Sequence, residues 1–373
     1  MKILFIATSF SRYDSRIFYK QATALAKLGH SITILCSDQQ PKEVIGSITI
    51  ISTKKPLNRR LLRFLFSYKI ISDAIKNVDF DIVQINSPEN LLLVKKFKKN
   101  GKKVIFDSRE DYPAYISEKH WIPIIFRKLV ARNYEKYENK IIENIDAIIT
   151  ATPYLAEKME KKHPHVYMVT NYPIISEMTM HNRNNNSKDL CFYGYSSGDD
   201  MHFNVLKAIS NIPDTRYHLL LGNNGKHANS IIKLAKKLHI GDRVFIYNRV
   251  PFKEIPIFLE KGAAGIVLKR YAANYGYKRG SLGVIKFFDY MANGLPVICT
   301  DFDEWKTIVE KYRCGLYVNP YDVTAIQHAI EQIVNFPEST KVMGDNARKA
   351  VEIEFNWATQ EKKYLLIFTD LNK

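Results

Sequence analysis

The sequence predicts an α/β protein made of two doubly wound domains in series. Three observations lead there. At 373 residues the chain exceeds what one ordinary hydrophobic core organises. Short apolar runs alternate with amphipathic stretches along its whole length, the pattern of repeated βα units around a parallel sheet. The alternation breaks once, at the polar, Asn-rich SEMTMHNRNNNSKD of residues 176–189, and then starts afresh.

Each element follows in order. KILFIAT (2–8) has the form of a first buried strand; no small-residue cleavage site follows it, so a signal peptide is not expected. DSRIFYKQATALAKLGH (14–30) predicts a helix that stops at Gly29. SITILCS (31–37) and GSITIIST (46–53) predict strands two and three. FDIVQIN (80–86) and KKVIFDS (102–108) are near-continuous apolar runs, as expected of parallel strands covered on both faces. IDAIITAT (145–152) and HVYMVTNYP (165–173) complete the first half. After the break come LCFYGYSS, RYHLLLGNNG, DRVFIYNRV, AAGIVLK, LPVICT and GLYVN, separated by helical segments, and a terminal amphipathic helix in FNWATQEKKYLLIFTDL (355–371).

Composition bounds the partners. No run approaches the ~18 consecutive apolar residues that span a bilayer. Cys36, Cys191, Cys299 and Cys314 lie far apart with no Cys-x-x-Cys or His pairing, so buried thiols in a reducing compartment are expected rather than disulfides or a metal site. The net charge of +17 is uneven: residues 1–172 hold 29 Lys and Arg against 17 Asp and Glu, the remainder 26 against 21. Such a bias suits an anionic surface. Nothing resembles a zinc-finger spacing or an aromatic RNA-binding motif, so nucleic acid is not expected. KKPLNRRLLRFLFSYK (54–69) carries six basic residues and no acid among leucines and phenylalanines, and KKFKKNGKK (95–103) adds six lysines. Arg59, Arg60, Arg63, Phe64 and Phe66 are therefore candidate contacts to an anionic membrane, with HWIPIIFRKLVARNY (120–134) a second candidate segment. The alternative for both is a solvated helix whose apolar face joins the core.

SLGVIKFFDYMANGLPVICT (281–300) carries chemistry. One carboxylate, Asp289, stands among aromatic residues on a helix that follows a glycine-bearing loop and stops at Asn-Gly-Leu-Pro. The stretch resembles the signature of GT-B glycosyltransferases of the family 4 type, N-K-L-F-E-Y-M-A-x-G-L-P-V-I, from Lys286 through Asp289 and Gly294 to Ile298. Four further places agree in order: the first-helix pattern with Arg16, Lys20, Leu25 and Gly29; DSREDYP (107–113) with D-x-H-E-D-Y-P; TNYP (170–173); and the Trp-containing last helix beginning at FNWATQE. The resemblance covers nearly the whole chain.

It implies two Rossmann-like doubly wound domains facing across a cleft. Residues 1–175 would bind the acceptor, with a C-terminal helix 356–373 packing back on them, and 176–355 the nucleotide sugar. Ligands sit at the carboxyl ends of strands in such sheets, so the loops after Thr8, Phe106, Tyr193, Leu221 and Lys269 are expected at the site. The implied activity is transfer of a sugar from a nucleotide-diphosphate donor, expected to be UDP-linked, to a lipid-linked saccharide. The setting would be bacterial surface polysaccharide biosynthesis, of a capsule or an O-antigen. The enzyme would be cytoplasmic and peripheral on the inner face of the cell membrane, would retain anomeric configuration, and would use no cofactor and no metal. A sugar-nucleotide epimerase and a non-catalytic nucleotide-sugar-binding subunit are the two rival readings.

A departing diphosphate needs fixed positive charge where its own charge develops. GSLG (280–283) opens a helix whose first N–H groups and dipole suit a phosphate. Lys278, Arg279 and Lys286 are placed to neutralise the rest, and Gly194, Ser196 and Ser197 to cradle it from the preceding strand. The donor set is completed by Asn248, Val250, Ser281, Leu282, Gly283 and Val284. Positions 282, 285, 286 and 289 are read as one helix face, which would aim Asp289 at the ribose hydroxyls; the other reading of Asp289 is an acid fixed by a neighbouring Lys or Tyr. Two departures from the family pattern stand out. Ser281 occupies the place of a glutamate, and Arg109 that of the first-domain histidine. A guanidinium cannot accept a proton, so Arg109 is assigned to stabilise phosphate or an oxyanion, and Glu110 or Asp111 to meet the acceptor; a structural salt bridge of Arg109 with Glu110, Asp111 or Asp14 is the alternative. Ser9, Arg12, Asp14 and Arg16 in the first loop are candidate acceptor or phosphate contacts, solvated loop charges being the alternative. Asp79-Phe80-Asp81 and Asp301-Phe302-Asp303 are assigned no metal, since the second matches the D-F-x-E-W turn of the family.

Overall fold

The computed structural model describes residues 1–54, 57, 60–119, 121–178, 186–195, 198–222, 225–251 and 254–372. It divides into two compact units, Met1–Asn171 with Gln360–Lys373, and Tyr172–Thr359.

The sheet of the first unit contains β1 (Lys2–Ile6), β2 (Ser31–Cys36), β3 (Glu43–Ile45), β4 (Ile48–Ser52), β5 (Ile82–Ile85), β6 (Lys103–Ser108), β7 (Ala147–Thr150) and β8 (Val166–Met168), in the order β3-β4-β2-β1-β5-β6-β7-β8. All pairings are parallel except β3 with β4. Leu4, Phe5, Val83, Ile105 and Ile148 are fully buried, as the unbroken apolar runs require for a sheet covered on both faces. The first helical segment begins as a π-helix, Ile17–Ala22, and continues as α1 (Thr23–Lys27). The other helices of this unit are α2 (Arg60–Ala74), α3 (Val94–Lys99), α4 (Tyr112–Ser117), α5 (Ile124–Ile142) and α6 (Pro153–Glu160). α6 starts where Thr152 Oγ1 accepts from the Leu155 N–H and Pro153 presets the backbone.

The second unit has β9 (Asp189–Gly194), β10 (Arg216–Leu221), β11 (Val244–Tyr247), β12 (Ala264–Val267), β13 (Val297–Thr300) and β14 (Gly315–Val318), all parallel, in the order β11-β10-β9-β12-β13-β14. Its helices are α7 (His202–Ile209), α8 (Lys226–Lys237), α9 (Ile255–Leu259), α10 (Ile285–Ala292), α11 (Asp303–Tyr312), α12 (Val323–Asn335) and α13 (Pro337–Ile353). The last helix, α14 (Trp357–Leu371), starts in this unit and ends in the first, where Tyr364 is buried and donates to Gln84 at 2.8 Å. The four cysteines are free and buried.

Strand order matters because it locates the switch points. In each sheet the chain builds outward from a central strand, first to one side and then to the other. The carboxyl ends therefore diverge between β1 and β5 and between β9 and β12, leaving a crevice where ligands bind.

Candidate active site

At the switch point of the second unit, the segment after β9 meets the segment after β12 through a short bridge between Asp200 and Lys269. Asp200 is buried, and its carboxylate oxygen lies 2.6 Å from the Lys269 ammonium and 3.6 Å from that of Lys286 on α10. Burial works to raise the Asp200 pKa, but the two ammonium groups outweigh it and hold the group below the usual carboxylate range. Burial brings Lys286 down to about 7, against the pull of Asp200. Two cations thus share one anion inside the crevice. That local surplus of positive charge is what a phosphate would satisfy.

Gly194, the last residue of β9, shapes the same place. Its φ of +127° is a conformation that side chains rarely adopt, and a Cβ there would stand 3.3 Å from Lys286 Nζ. The Lys286 ammonium also lies 3.9 Å from the centre of the Phe192 ring, a cation–π contact that helps hold it. Ser196 and Ser197 lie outside the described residues.

The loop expected to open the helix is shorter on helical structure than the sequence implies. α10 begins at Ile285, so Leu282 and Gly283 form a turn before it and do not share its face. Gly283 N–H donates to Ser281 Oγ at 3.1 Å, and the Ser281 carbonyl accepts from Trp305 Nε1 at 3.0 Å. No side chain caps α10, and its first turn carries no acid. Gly280 is required here, because its φ is +90° and a Cβ would fall 2.5 Å from Phe302 Cβ. Leu282, Val284 and Val250 pack on the apolar core of this unit, and Asn248 follows β11 in an exposed position. Lys278 and Arg279 turn toward α11: their carbonyls accept from the N–H groups of Asp303 and Glu304, while their side chains face Asp301 at 3.6 Å and Glu304 at 3.7 Å. The DFDEW stretch is thus the partner of this loop, and Asp301 also accepts from Tyr271 Oη at 2.5 Å.

Asp289 is buried on α10, and its carboxylate accepts from the Tyr193 hydroxyl. Burial, then the neighbouring carboxylate, pushes the Tyr193 pKa well up, so the phenol remains a donor. A tyrosine from the end of β9 thus pairs with the acid.

In the first unit the charged residues around β1 and β6 mostly serve the fold. Arg16 is buried, and it makes two 2.9 Å bonds to buried Asp107 and one of 2.8 Å to the Val169 carbonyl. Arg12 is tied to Asp38 at 2.8 Å and to Glu43 at 2.9 Å. Asp14 accepts from the N–H groups of Arg16 and Ile17, and Ser9 Oγ donates to Glu89. Asp111 caps α4 by accepting from Ala114 N–H at 3.1 Å and is bound by the Lys158 ammonium and the Tyr154 hydroxyl. Those bonds assign it to structure. Arg109 lies 4.1 Å over the Phe10 ring, 3.5 Å from Asp14 and 3.7 Å from Asp107. Glu110 is the exposed carboxylate of that loop.

For the basic segments, Arg59 lies outside the described residues, as do the side chains of Arg60, Arg63 and Phe64; Phe66 on α2 is half exposed. No helix among the described residues is long and apolar enough to cross a membrane. Asp200, Lys269 and Tyr193 are the site residues that sequence reading missed. Pairing between distant loops leaves no local pattern, although Lys269 at the end of an apolar strand was a usable hint.

The family described as Glycosyltransferase Family 4 matches residues 15–171, and that described as Glycosyl transferases group 1 matches residues 175–350. Among solved structures, sucrose-phosphate synthase from Thermosynechococcus elongatus superposes with a TM-score of 0.81 at 16% identity, over 100% of this chain and 99% of that one. A glycosyltransferase from Rickettsia africae gives 0.71 at 15%, over 100% and 98%. Anabaena HepE, solved in complex with UDP and glucose, gives 0.73 at 11%, over 99% and 100%. No curated protein sequence matches the chain.

Proposed function

The chain belongs to the GT-B glycosyltransferases of the family 4 type, and from that premise we propose that it moves a sugar from a UDP-linked donor to a lipid-linked saccharide. The acceptor would be one used in assembling a bacterial surface polysaccharide, and the transfer would keep anomeric configuration. The second unit takes the donor. One observation carries this reading: Lys269 and Lys286 converge on a single oxygen of Asp200 beside Gly194, at the switch point of a parallel sheet. In this reading the diphosphate draws on that surplus charge and on the uncapped start of α10, and it leaves without a metal. Asp289 receives the ribose hydroxyls as Tyr193 gives up its bond. Arg109 stabilises anionic charge on the acceptor side, and Glu110 contacts the acceptor.

Titration of the purified protein with UDP tests the donor site. Lys286→Met is expected to weaken binding on the order of tenfold to a hundredfold, the range for losing a charge-assisted bond to phosphate. Turnover is then measured with UDP-sugars and lipid-linked saccharides, and a chelator is expected to leave the rate unchanged. The held position of Arg109, between two carboxylates and Phe10, favours one second reading, a nucleotide-sugar-binding subunit without catalysis. UDP binding with no turnover on any matched pair would select it.

A further inference from the structure

The link between α4 and α5 and the first two turns of α5 expose an unusual apolar surface. Trp121 is 59% exposed, Ile124 and Ile125 are each 76% exposed and Leu129 is 56% exposed, with Phe126 and Val130 beside them. The helix is not simply inverted, since Ala131, Glu138, Ile141 and Ile142 are buried on its other side. Next to the apolar tip, Lys128, Arg132 and Lys136 recur at four-residue intervals and are exposed, so they form a cationic stripe along one face. Of the acids near the tip, Glu135 is half-buried and reaches Lys162 at 3.4 Å, and Glu118 is half-buried. The first turn of α5 carries no acid, and Pro123 provides no side-chain cap, so the positive end of the helix dipole emerges at the apolar tip. Arg127 Nε donates to the Ile122 carbonyl at 2.8 Å and fixes the link against the helix.

We propose that this tip inserts into an anionic lipid bilayer, with Trp121, Ile125 and Leu129 entering the acyl boundary and Lys128, Arg132 and Lys136 meeting the headgroup phosphates. A bilayer presents an outer layer of phosphates over hydrocarbon. The tip presents the complement: apolar side chains ahead, ammonium and guanidinium groups alongside, and a helix start whose N-cap residue, Pro123, offers no side-chain cap. The proposal deepens the lipid-linked-acceptor reading and takes its purpose from it. It places the contact on the second of the two segments that the sequence named, residues 120–134.

The test uses the full chain and no sugar substrate, so its failure is distinct from failure of the transferase reading. Sedimentation is measured with phosphatidylcholine vesicles and with vesicles containing about 30 mol % phosphatidylglycerol, alongside tryptophan emission. Trp305 and Trp357 are buried, so a blue shift on binding reports Trp121, and Trp121→Phe is expected to remove it. Ile125→Asp with Leu129→Asp is expected to lower partition by roughly tenfold or more at an unchanged melting temperature, both positions being exposed. Lys128→Glu with Arg132→Glu is expected to abolish the preference for anionic vesicles. Three results would each overturn the proposal. One is equal partition of the native chain into both vesicle types. Another is unchanged binding by the aspartate pair while Arg59→Gln, Arg60→Gln and Arg63→Gln together abolish it. The third is concentration-dependent dimerisation without vesicles that the aspartate pair removes, which would assign the face to a second copy of the chain.

Discussion

Lys286 is where single-residue chemistry is most open to measurement. Burial lowers its pKa to about 7, so the free protein carries this ammonium below that pH and loses it as pH rises. A bound diphosphate favours the charged form. UDP affinity is therefore expected to weaken above pH 7, by up to about tenfold per pH unit for a one-proton linkage, and Lys286→Met is expected to flatten the curve. Calorimetry at pH 8 in buffers of different ionisation enthalpy would show the proton taken up on binding. Asp289 invites a paired experiment. Asp289→Ala is expected to weaken UDP by about tenfold or more, whereas Tyr193→Phe removes the hydroxyl that competes with the ribose and is expected to tighten it. Full affinity in Asp289→Ala would leave that acid a fold element held by Tyr193. Motif matching led to Asp289 and Lys286 because they sit inside one local pattern. Asp200 has no such local pattern, because its partners come from two other elements, and the pairing of Arg16 with Asp107 and of Asp111 with Lys158 is not legible in sequence.

Among elements, the turn from Gly280 to Val284 is closely constrained. Gly280→Ala would drive a Cβ to 2.5 Å from Phe302 Cβ at a φ of +90°, and an expected loss of about 1–3 kcal/mol in urea unfolding follows from the strain and overpacking. α12 offers a simpler control: Asp322 accepts from Ala325 N–H at 2.9 Å, so Asp322→Ala is expected to cost about 1 kcal/mol. The strands were legible because their apolar runs are unbroken, and every predicted run has its counterpart in the sheets. Two features were not. Glu43–Ile45 adds an antiparallel edge strand that is too short to show alternation. The first helix opens with a π-helical turn, a choice that rests on tertiary packing and not on residue propensity. The apolar run of 120–134 was ambiguous for a related reason, since periodicity identifies an apolar face without saying whether anything covers it.

For the molecule as a whole, the closing helix ties the two ends of the sequence to one unit. Tyr364, Ile367 and Phe368 are buried there, so truncation after Thr359 is expected to destabilise the first unit by roughly 2–5 kcal/mol for each large apolar side chain lost, which lowers its thermal transition, and to spare that of the second. Differential scanning calorimetry of both chains separates these outcomes. The same connectivity bears on biosynthesis. A ribosome delivers Tyr172–Thr359 as one uninterrupted stretch, but Gln360–Lys373 emerges only after all of it. The portion translated first must therefore wait, incomplete, while the portion translated second can settle ahead of it, the reverse of the usual amino-to-carboxyl order. Nascent chains stalled before residue 360 are thus the species in which a chaperone would find the first sheet still uncovered.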